Sequence, residues 1–230
     1  MNICIIPARG GSKRIPRKNI KPFMGKPMIA YSIEAAIESE CFDRVIVSTD
    51  DEEMAKVAIS LGAEAPFIRP ASLSGDHTAT VPVIKHAIEF MIESGEEVKF
   101  ACCIYATAPF IRAIDLQQAL DRLKKTDSEY CFSVTSFPYP IQRGLKVNKS
   151  GTIEMLYPEN YLVRSQDLEE TYHDAGQFYF GRCQSWLSEK PILADGSIPH
   201  IIPRTRAQDI DTQEDWQQAE IMYEVLNTRI

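Results

Sequence analysis

The feature that most constrains the fold is a regular alternation of short apolar runs and amphipathic segments along the first 135 residues. NICIIP, RVIVSTD, FACCIYA and YCFSVTSF are runs of strand length, and segments such as PMIAYSIEAAIESE and PVIKHAIEFMIES separate them. Continuous apolar runs joined by amphipathic helices are typical of a mainly parallel sheet that is covered on both faces. The pattern therefore predicts an α/β fold.

The alternation breaks between residues 138 and 171. Within this stretch, KVNKSGTIE predicts a hairpin about Asn148 to Gly151. The core pattern returns with GQFYFGR and SIPHIIPRT, and a last helix is expected to begin near Thr212. A length of 230 residues with 44% hydrophobic content suits one domain. We expect a single domain, residues 1–230, with an inserted excursion over 138–171.

Composition excludes several classes of protein. A formal net charge of -7 argues against general nucleic-acid binding. No apolar run is long enough for a membrane span, and the N-terminus lacks the apolar region of a signal peptide. The six cysteines contain no C-x-x-C pair and are read as reduced, mostly buried side chains. We expect a cytoplasmic protein with neither a nucleic-acid nor a membrane partner.

A basic loop follows the first apolar run, although the chain is acidic. No acidic residue precedes Glu34, and two glycines, Gly10 and Gly11, allow a sharp turn that brings N–H groups close to an anion. The loop matches neither a P-loop nor a G-x-G-x-x-G fingerprint. We interpret it as a triphosphate site; the alternative is a solvated basic loop. Its cations are Arg9, Lys13, Arg14, Arg17, Lys18 and Lys21.

A second candidate site is the D-I-D triplet near the end of the chain. In an extended segment, Asp209 and Asp211 lie on one face and Ile210 turns to the core. Two adjacent carboxylates with the remaining positions left to water and phosphate suit Mg²⁺. The alternative is that both aspartates precede and cap the last helix.

Five segments in order resemble the sugar-acid cytidylyltransferases, the CMP-sialic acid synthetase family. They are IPARGGSKRIPRKNI, VIVSTDDEEMAKVAISLGAE, RPASLSGDHTATVPVIKHAIE, ATAPFIRAIDLQQAL and DIDTQEDWQQAE. The resemblance implies a Rossmann-like three-layer nucleotidyltransferase sandwich. It also implies an enzyme that uses CTP and a divalent metal, Mg²⁺, to activate a nine-carbon sugar acid.

The resemblance implies a role for each residue that matches the family's motifs. Catalytic roles at the phosphates fall on Arg9, Lys13, Lys18 and the metal ligand Asp211, which holds Mg²⁺ together with Asp209. The implied nucleotide-binding residues are Ala8, Arg9, Gly10, Gly11, Ser12, Asn19, Arg69, Asp76 and Thr80. From the residues alone, RPASLSGDHTAT is only a polar loop entering a helix, with Thr78 or Thr80 as its cap.

The sugar side departs from the sialic acid pattern, because YHDAGQFYF replaces N-G-A-x-Y and YATAP replaces Q-P-T-S-P. DAGQFYF and the form ARGGSKRIPRKNIK resemble the pseudaminic acid cytidylyltransferase branch, which serves bacterial surface and flagellin glycosylation. The expected product is CMP-pseudaminic acid; N-acetylneuraminate and legionaminate are the alternative acceptors, and keto-deoxyoctonate is a more distant one. The implied sugar-binding residues are Tyr105, Arg164, Gln177 and Tyr179. No histidine is assigned a catalytic role, and His173 is expected nearest the substrate.

The excursion matches, by position, the segment that family members use to dimerise, so a homodimer is expected. Arg164 would then reach the neighbouring subunit's site, where a guanidinium can bind the sugar carboxylate bidentately. Two other classes remain open, a non-catalytic nucleotide sensor on the same fold and an RNA-binding protein. RNA binding would require aromatic residues among the basic ones, and none precedes Phe23.

Overall fold

The computed structural model of the protein describes residues 1–228 and contains ten strands and six α-helices in that range. The strands are β1 (Asn2–Pro7), β2 (Pro22–Phe23), β3 (Lys26–Pro27), β4 (Arg44–Ser48), β5 (Phe100–Ile104), β6 (Tyr130–Ser136), β7 (Leu145–Val147), β8 (Ile153–Met155), β9 (Tyr172–Arg182) and β10 (Ser197–Ile201). The helices are α1 (Met28–Glu38), α2 (Glu52–Ser60), α3 (Thr80–Glu93), α4 (Ala113–Lys124), α5 (Cys183–Leu187) and α6 (Gln213–Thr228). The last two positions of the predicted domain, 229 and 230, lie outside the described residues.

The main sheet has six strands in the order β10-β6-β9-β5-β1-β4. β1 pairs in parallel with both β4 and β5, and β10 pairs in parallel with β6. Strand β9 alone is antiparallel to its neighbours, β5 and β6. The prediction of a mainly parallel sheet is confirmed.

Both faces of this sheet are buried, which explains its continuous apolar runs. Along β1, Cys4 and Ile6 pack into one core cluster with helix residues such as Leu116, whereas Ile3 and Ile5 pack into another. Alternate residues of a strand point to opposite faces, so one short run supplies two helix-covered cores. The predicted three-layer sandwich is confirmed.

The helix ends follow local chemistry in most places. Thr212 Oγ1 accepts from the Asp215 amide, and Asp215 Oδ2 accepts from the Thr212 amide at 2.7 Å, so α6 begins with reciprocal capping. Gly62 follows α2 with φ +92°, as expected of a residue that ends a helix. Capping of α3 by Thr78 is wrong, because the residue before that helix is Ala79, which has no side chain to cap it.

The excursion over residues 138–171 contains the predicted hairpin. Strands β7 and β8 pair antiparallel with Val147 opposite Ile153, and Gly151 adopts φ +81° in the connecting turn. Many apolar side chains on this segment are exposed, including Tyr139 and Leu162. The segment therefore lies outside the main core.

The chain's cysteines are all free, and four of them are buried. Burial raises the pKa of Cys4 and Cys102, which makes these thiols unreactive. This agrees with the reading of cysteines as small core residues. No helix within residues 1–228 is long and apolar enough to cross a bilayer.

Candidate active site

Several polar loops lie together at one end of the sheet, beyond the carboxyl ends of its parallel strands. The parallel strands β1, β4 and β5 end there, and their following loops begin at Ala8, Thr49 and Tyr105. Strand β9 runs the other way, so its beginning reaches the same end: Phe178 pairs with Ile104, and residues 172–177 extend beyond it. Ligands of open α/β sheets bind at the carboxyl ends of the parallel strands.

The basic loop is fixed by hydrogen bonds to its own backbone. The Asn19 side chain is buried and donates to the Arg9 carbonyl at 3.1 Å. The Gly10 N–H donates to Asp50 Oδ1 at 2.9 Å, so this amide already binds a carboxylate of the protein. A Cβ at position 10 would lie 2.8 Å from Asp51 Oδ2, whereas one at Gly11 would meet nothing within 4 Å. The close approach of the loop to Asp51 therefore requires glycine at position 10 but not at position 11.

A cavity of about 410 Å³ lies beside this loop. Its lining has five cationic side chains against three acidic ones, an excess of positive charge in an acidic protein. Such an excess suits a polyanionic ligand. The cations are Arg9, Lys13, Arg14, Lys18 and Arg69, and the acids are Asp76, Asp209 and Asp211.

The loop's other two cations point elsewhere. Arg17 pairs with Asp51 and Glu53 at 2.5 Å each, and its φ of 57° marks a left-handed turn in the loop. The Lys21 ammonium lies 4.3 Å above the ring of Trp216. These two residues hold the loop against α2 and α6 and do not line the cavity.

Asp76 bridges two of the cations that the resemblance assigns to phosphate. Arg9 Nη1 donates to Asp76 Oδ1 at 2.7 Å, and Lys13 donates to Asp76 Oδ2. The Lys13 and Arg9 side chains lower the pKa of Asp76, which is a carboxylate at neutral pH. Without a ligand, the acid on the loop before α3 thus neutralises part of the basic loop.

The two aspartates of the D-I-D triplet line the same cavity as the basic loop. Ile210 is fully buried against Trp216, while Asp209 and Asp211 both line the cavity. Lys18 lies between the two segments: its Nζ donates to the Ile210 carbonyl at 2.5 Å and lies 3.3 Å from Asp211 Oδ1. Arg14 pairs with Asp211 Oδ2 at 2.8 Å.

The two aspartates have the donor chemistry of a magnesium site. Part of the Asp209 side chain is open to solvent, yet partial burial and the charge of Asp211 raise its pKa. A cation between the carboxylates would relieve that repulsion. No group of three or more metal-ligating side chains occurs within residues 1–228. Mg²⁺ takes one or two protein carboxylates and leaves the remaining positions to water and phosphate.

A buried ion pair supports the segment that carries D-I-D. Arg206 contacts Asp115 at the start of α4 with both terminal nitrogens, one of them at 3.2 Å. His200 Nε2 lies 3.2 Å from the same carboxylate. Burial raises the pKa of Asp115, but the hydrogen bonds from His200 and Arg206 outweigh this effect and lower the pKa to about 2. The network fixes the chain three residues before Asp209.

A second cavity adjoins the first, and Tyr105 and Asp209 line both. The Tyr105 hydroxyl lies 3.2 Å from Thr80 Oγ1 on the first side. On the second side, the Tyr179 hydroxyl donates to Asp174 Oδ2 at 2.5 Å. Burial, together with the neighbouring Tyr105 and Asp174, raises the pKa of Tyr179 far above its usual range, so this phenol remains a donor. After the ligands that the sequence resemblance implies for them, we name the two spaces the nucleotide cavity and the acceptor cavity.

Most residues singled out in the sequence lie around these two spaces. The nucleotide cavity brings together Arg9, Ser12, Lys13, Lys18, Asn19, Arg69, Asp76, Thr80, Tyr105, Asp209 and Asp211. The acceptor cavity adds Tyr179 and His173. Ala8 is fully buried behind the loop, and neither Gly10 nor Gly11 belongs to the lining.

Two predicted sugar-binding residues lie elsewhere. Gln177 turns inward, is buried, and donates through Nε2 to the Arg206 carbonyl, so it supports the segment before D-I-D. Arg164 lies on the exposed excursion and pairs with Asp167 at 2.7 Å. It lines neither cavity of its own chain.

The structure also places residues at the site that were given no individual role from the sequence. Arg14 and Thr107 line the nucleotide cavity, and Asp174 and Gln208 line the acceptor cavity. Arg14 was predicted only as one of the basic-loop cations. Asp174 lies in the YHDAGQFYF segment, which was expected on the sugar side, but only the position of β9 in the sheet shows that its side chain lines the cavity.

An α/β sheet with a cationic cavity at the carboxyl ends of its parallel strands, lined also by two aspartates and adjoined by a second cavity, suits a nucleotidyltransferase. The chain belongs to the cytidylyltransferase family, whose sequence model, described as Cytidylyltransferase, matches residues 3–228. The predicted resemblance to sugar-acid cytidylyltransferases is thereby confirmed, as is the assignment of the chain as an enzyme.

Individual proteins agree with this assignment. The chain is 46% identical over 224 residues to the pseudaminic acid cytidylyltransferase of Campylobacter jejuni strain 81-176, and the match covers 97% of both. It is 30% identical over 218 residues to an Escherichia coli N-acylneuraminate cytidylyltransferase, covering 94% of this chain and 51% of the relative. The solved structure of CMP:2-keto-3-deoxy-manno-octonic acid synthetase complexed with CTP has the same fold, with TM-score 0.71, 18% identity, and coverage of 97% and 98%.

Proposed function

We propose that the protein transfers CMP from CTP to the anomeric hydroxyl of pseudaminic acid and releases pyrophosphate. The observation that carries the proposal is the junction of the two cavities at Tyr105 and Asp209. A donor nucleotide and a sugar acid can there meet beside the carboxylate pair. The similarity to the Campylobacter enzyme supports the choice of sugar.

The reaction is an in-line displacement at the α-phosphorus of CTP. The anomeric oxygen forms the new P–O bond, pyrophosphate leaves with the electron pair of the broken bond, and the hydroxyl proton is lost to solvent. Catalysis of this type relies on positioning and on charge stabilisation. Arg9, Lys13 and Lys18 neutralise the triphosphate and the departing pyrophosphate.

The remaining residues of the nucleotide cavity position CTP. Arg69, Asp76 and Thr80 line the same cavity as the basic loop. We assign these three residues to the base and ribose. Asp76 releases Arg9 and Lys13 when the triphosphate takes its place as their anionic partner. Asn19 holds the loop backbone at Arg9 while it faces the ribose.

Asp209 and Asp211 are the residues that would hold Mg²⁺. When bound, Mg²⁺ neutralises phosphate charge and orients the α-phosphate toward the acceptor. Lys18 and Arg14 hold the Asp211 carboxylate in place. We include Mg²⁺ as the cofactor on the chemistry of these two carboxylates.

We also propose a homodimer formed through the excursion. Tyr139, Val147 and Leu162 expose 80%, 73% and 88% of their surface, an unusual concentration for a short polar segment. A second copy would cover these side chains and bring its Arg164 toward the acceptor's carboxylate. Sedimentation of the intact chain at micromolar concentration tests this point: a monomer would contradict it.

The activity is tested by pyrophosphate release with Mg²⁺ and CTP, running pseudaminic acid, N-acetylneuraminate, legionaminate and keto-deoxyoctonate in parallel. ATP, GTP and UTP serve as nucleotide controls. We expect the highest kcat/KM with CTP and pseudaminic acid. A preference for another sugar acid would support the proposed reaction but contradict pseudaminic acid as the acceptor. If no pair of substrates released pyrophosphate, a non-catalytic nucleotide sensor would be favoured. We place the reaction in the cytoplasm, supplying bacterial surface or flagellin glycosylation.

A further inference from the structure

Asp174 occupies the wall of the acceptor cavity at the beginning of β9. Its Oδ1 accepts from the Gly176 N–H at 2.8 Å, and its Oδ2 accepts from the Tyr179 hydroxyl at 2.5 Å. Gly176 adopts φ +63°, so the turn requires glycine and points its amide at the carboxylate. A carboxylate has about four lone-pair positions, so these two contacts leave capacity for a ligand.

The charge of Asp174 has no cationic partner. Within residues 1–228 it takes part in no ion pair, and no lysine or arginine lines the acceptor cavity. His173 is the neighbouring residue, but its Nδ1 contacts the Asp174 backbone carbonyl and not the carboxylate. A half-buried carboxylate without a counter-ion is costly to maintain. Its turn alone could be made by asparagine, because that also accepts from an amide N–H.

The hydrogen-bonding character of the cavity wall around Asp174 is one-sided. The Tyr179 proton is committed to Asp174, so that phenol offers the cavity only its oxygen lone pairs. The Asp174 carboxylate offers only acceptors as well. These two side chains present acceptors to a ligand, so they fit a group that donates, and the amide N–H of an acylamino substituent is such a group.

We propose that Asp174 is a specificity-determining residue that accepts a hydrogen bond from an acylamino N–H of the acceptor sugar acid. This inference rests on the proposed function, and it adds a residue and a rule of selection to it. The negative charge of Asp174 repels the acceptor's own carboxylate, so the acylamino end faces β9 and the carboxylate end faces away. Charge repulsion disfavours the reversed orientation of the sugar acid, and the hydrogen bond favours the proposed orientation, so both effects select the same orientation. Acceptors that carry an acylamino group, such as pseudaminic acid, gain this hydrogen bond, and acceptors without one do not.

The test is the acceptor selectivity of Asp174→Asn. Asparagine keeps an oxygen for the Gly176 N–H, but it removes the charge and puts an NH2 donor where Asp174 Oδ2 accepts from the Tyr179 hydroxyl. We expect kcat/KM for pseudaminic acid to fall about 10- to 100-fold through a higher acceptor KM, with the KM for CTP within about twofold. The fall should be much smaller for keto-deoxyoctonate, which has no acylamino N–H to donate.

Two comparisons keep the result interpretable. The control is Asp127→Asn, which changes an exposed acid distant from Asp174 in the sequence and should alter neither acceptor selectivity nor melting temperature. A purely structural role for Asp174 predicts a lower melting temperature and equal losses for all acceptors, and that result would overturn the inference. If the wild type converts pseudaminic acid and Asp174→Asn keeps the wild-type acceptor preference, the inference about Asp174 is wrong but the proposed function stands. A wild type inactive with every acceptor would remove the proposed function as well.

Discussion

Lys18 and Asp211 are 193 positions apart in the chain, yet the Lys18 ammonium lies 3.3 Å from Asp211 Oδ1. The same ammonium donates to the carbonyl of Ile210 at 2.5 Å. The loop after β1 and the segment after β10 are thereby joined at one wall of the nucleotide cavity. The pairing also limits the repulsion between Asp211 and Asp209.

Asp211→Asn should abolish most turnover. The change removes one of the two carboxylates proposed to hold Mg²⁺ and leaves Lys18 and Arg14 without their shared anion. We expect kcat to fall at least about 100-fold, since transition-state charge loses a main source of stabilisation. Pyrophosphate release at limiting Mg²⁺ measures it.

The matched control for this variant is Asp195→Asn, an isosteric change at an exposed acid on the loop before β10. It should retain full activity. Both variants should unfold near the wild-type temperature. Wild-type turnover by Asp211→Asn at limiting Mg²⁺ would refute the metal assignment.

Lys13→Gln should weaken binding of CTP more than it slows the reaction. The Lys13 side chain is 79% exposed and contacts only Asp76, so the substitution should leave folding intact. One charge-assisted hydrogen bond to phosphate is lost, which predicts a KM for CTP about 10-fold higher. Initial rates over a CTP titration give this value, with Lys56→Gln on α2 as the control. An unchanged KM would place the triphosphate away from Lys13.

Gly10→Ala should destabilise the protein, whereas Gly11→Ala should not. The added methyl at position 10 would lie 2.8 Å from Asp51 Oδ2 and 3.0 Å from its Cβ. Relief of that contact must displace either the loop or Asp51, which also caps α2 through the Met54 amide. We expect a loss of about 1–3 kcal/mol in the free energy of unfolding, measured in urea. Equal stability of the two variants would contradict the packing described for this loop.

Asp115→Asn should remove a contribution to stability that acid also removes. The folded pKa of Asp115 is about 2, below the value of about 3.9 for an unfolded aspartate. Its contribution is therefore fully present above about pH 4 and is lost as the pH falls toward 2. The variant leaves buried Arg206 without its anion, so we expect a loss of about 3 kcal/mol at pH 7.

Urea unfolding at several pH values checks this prediction. The stability of the wild type should fall more steeply between pH 4 and pH 2 than that of Asp115→Asn. Asp127→Asn, at an exposed position, should follow the wild type. Parallel curves for the wild type and Asp115→Asn would show that the carboxylate is not stabilised in the fold.

Patterns of local chemistry predicted much of this protein. Short apolar runs predicted a sheet buried on both faces, because each strand must supply two cores. Thr212 and Asp215 marked the beginning of the last helix, and Ile210 marked the inward side of the D-I-D segment. Each of these inferences depends on residues within a few positions of one another.

Features set by distant parts of the chain could not be predicted. Asp115 and Arg206 are 91 positions apart, and neither has a neighbouring signal that indicates the other. Gln177 was expected at the sugar, but the register of β9 turns it toward Arg206. The register shift between Phe132 and Val134, opposite this part of β9, is likewise absent from any local pattern.

The most direct test of the account is a ³¹P NMR spectrum of the protein mixed with CTP, pseudaminic acid and Mg²⁺. The account predicts loss of the three CTP resonances and appearance of pyrophosphate together with one CMP phosphodiester signal. Asp211→Asn should leave the CTP spectrum unchanged over the same time. Persistence of CTP with the wild type, or its conversion to CMP without a phosphodiester product, would contradict the claim that the two cavities form one transferase site.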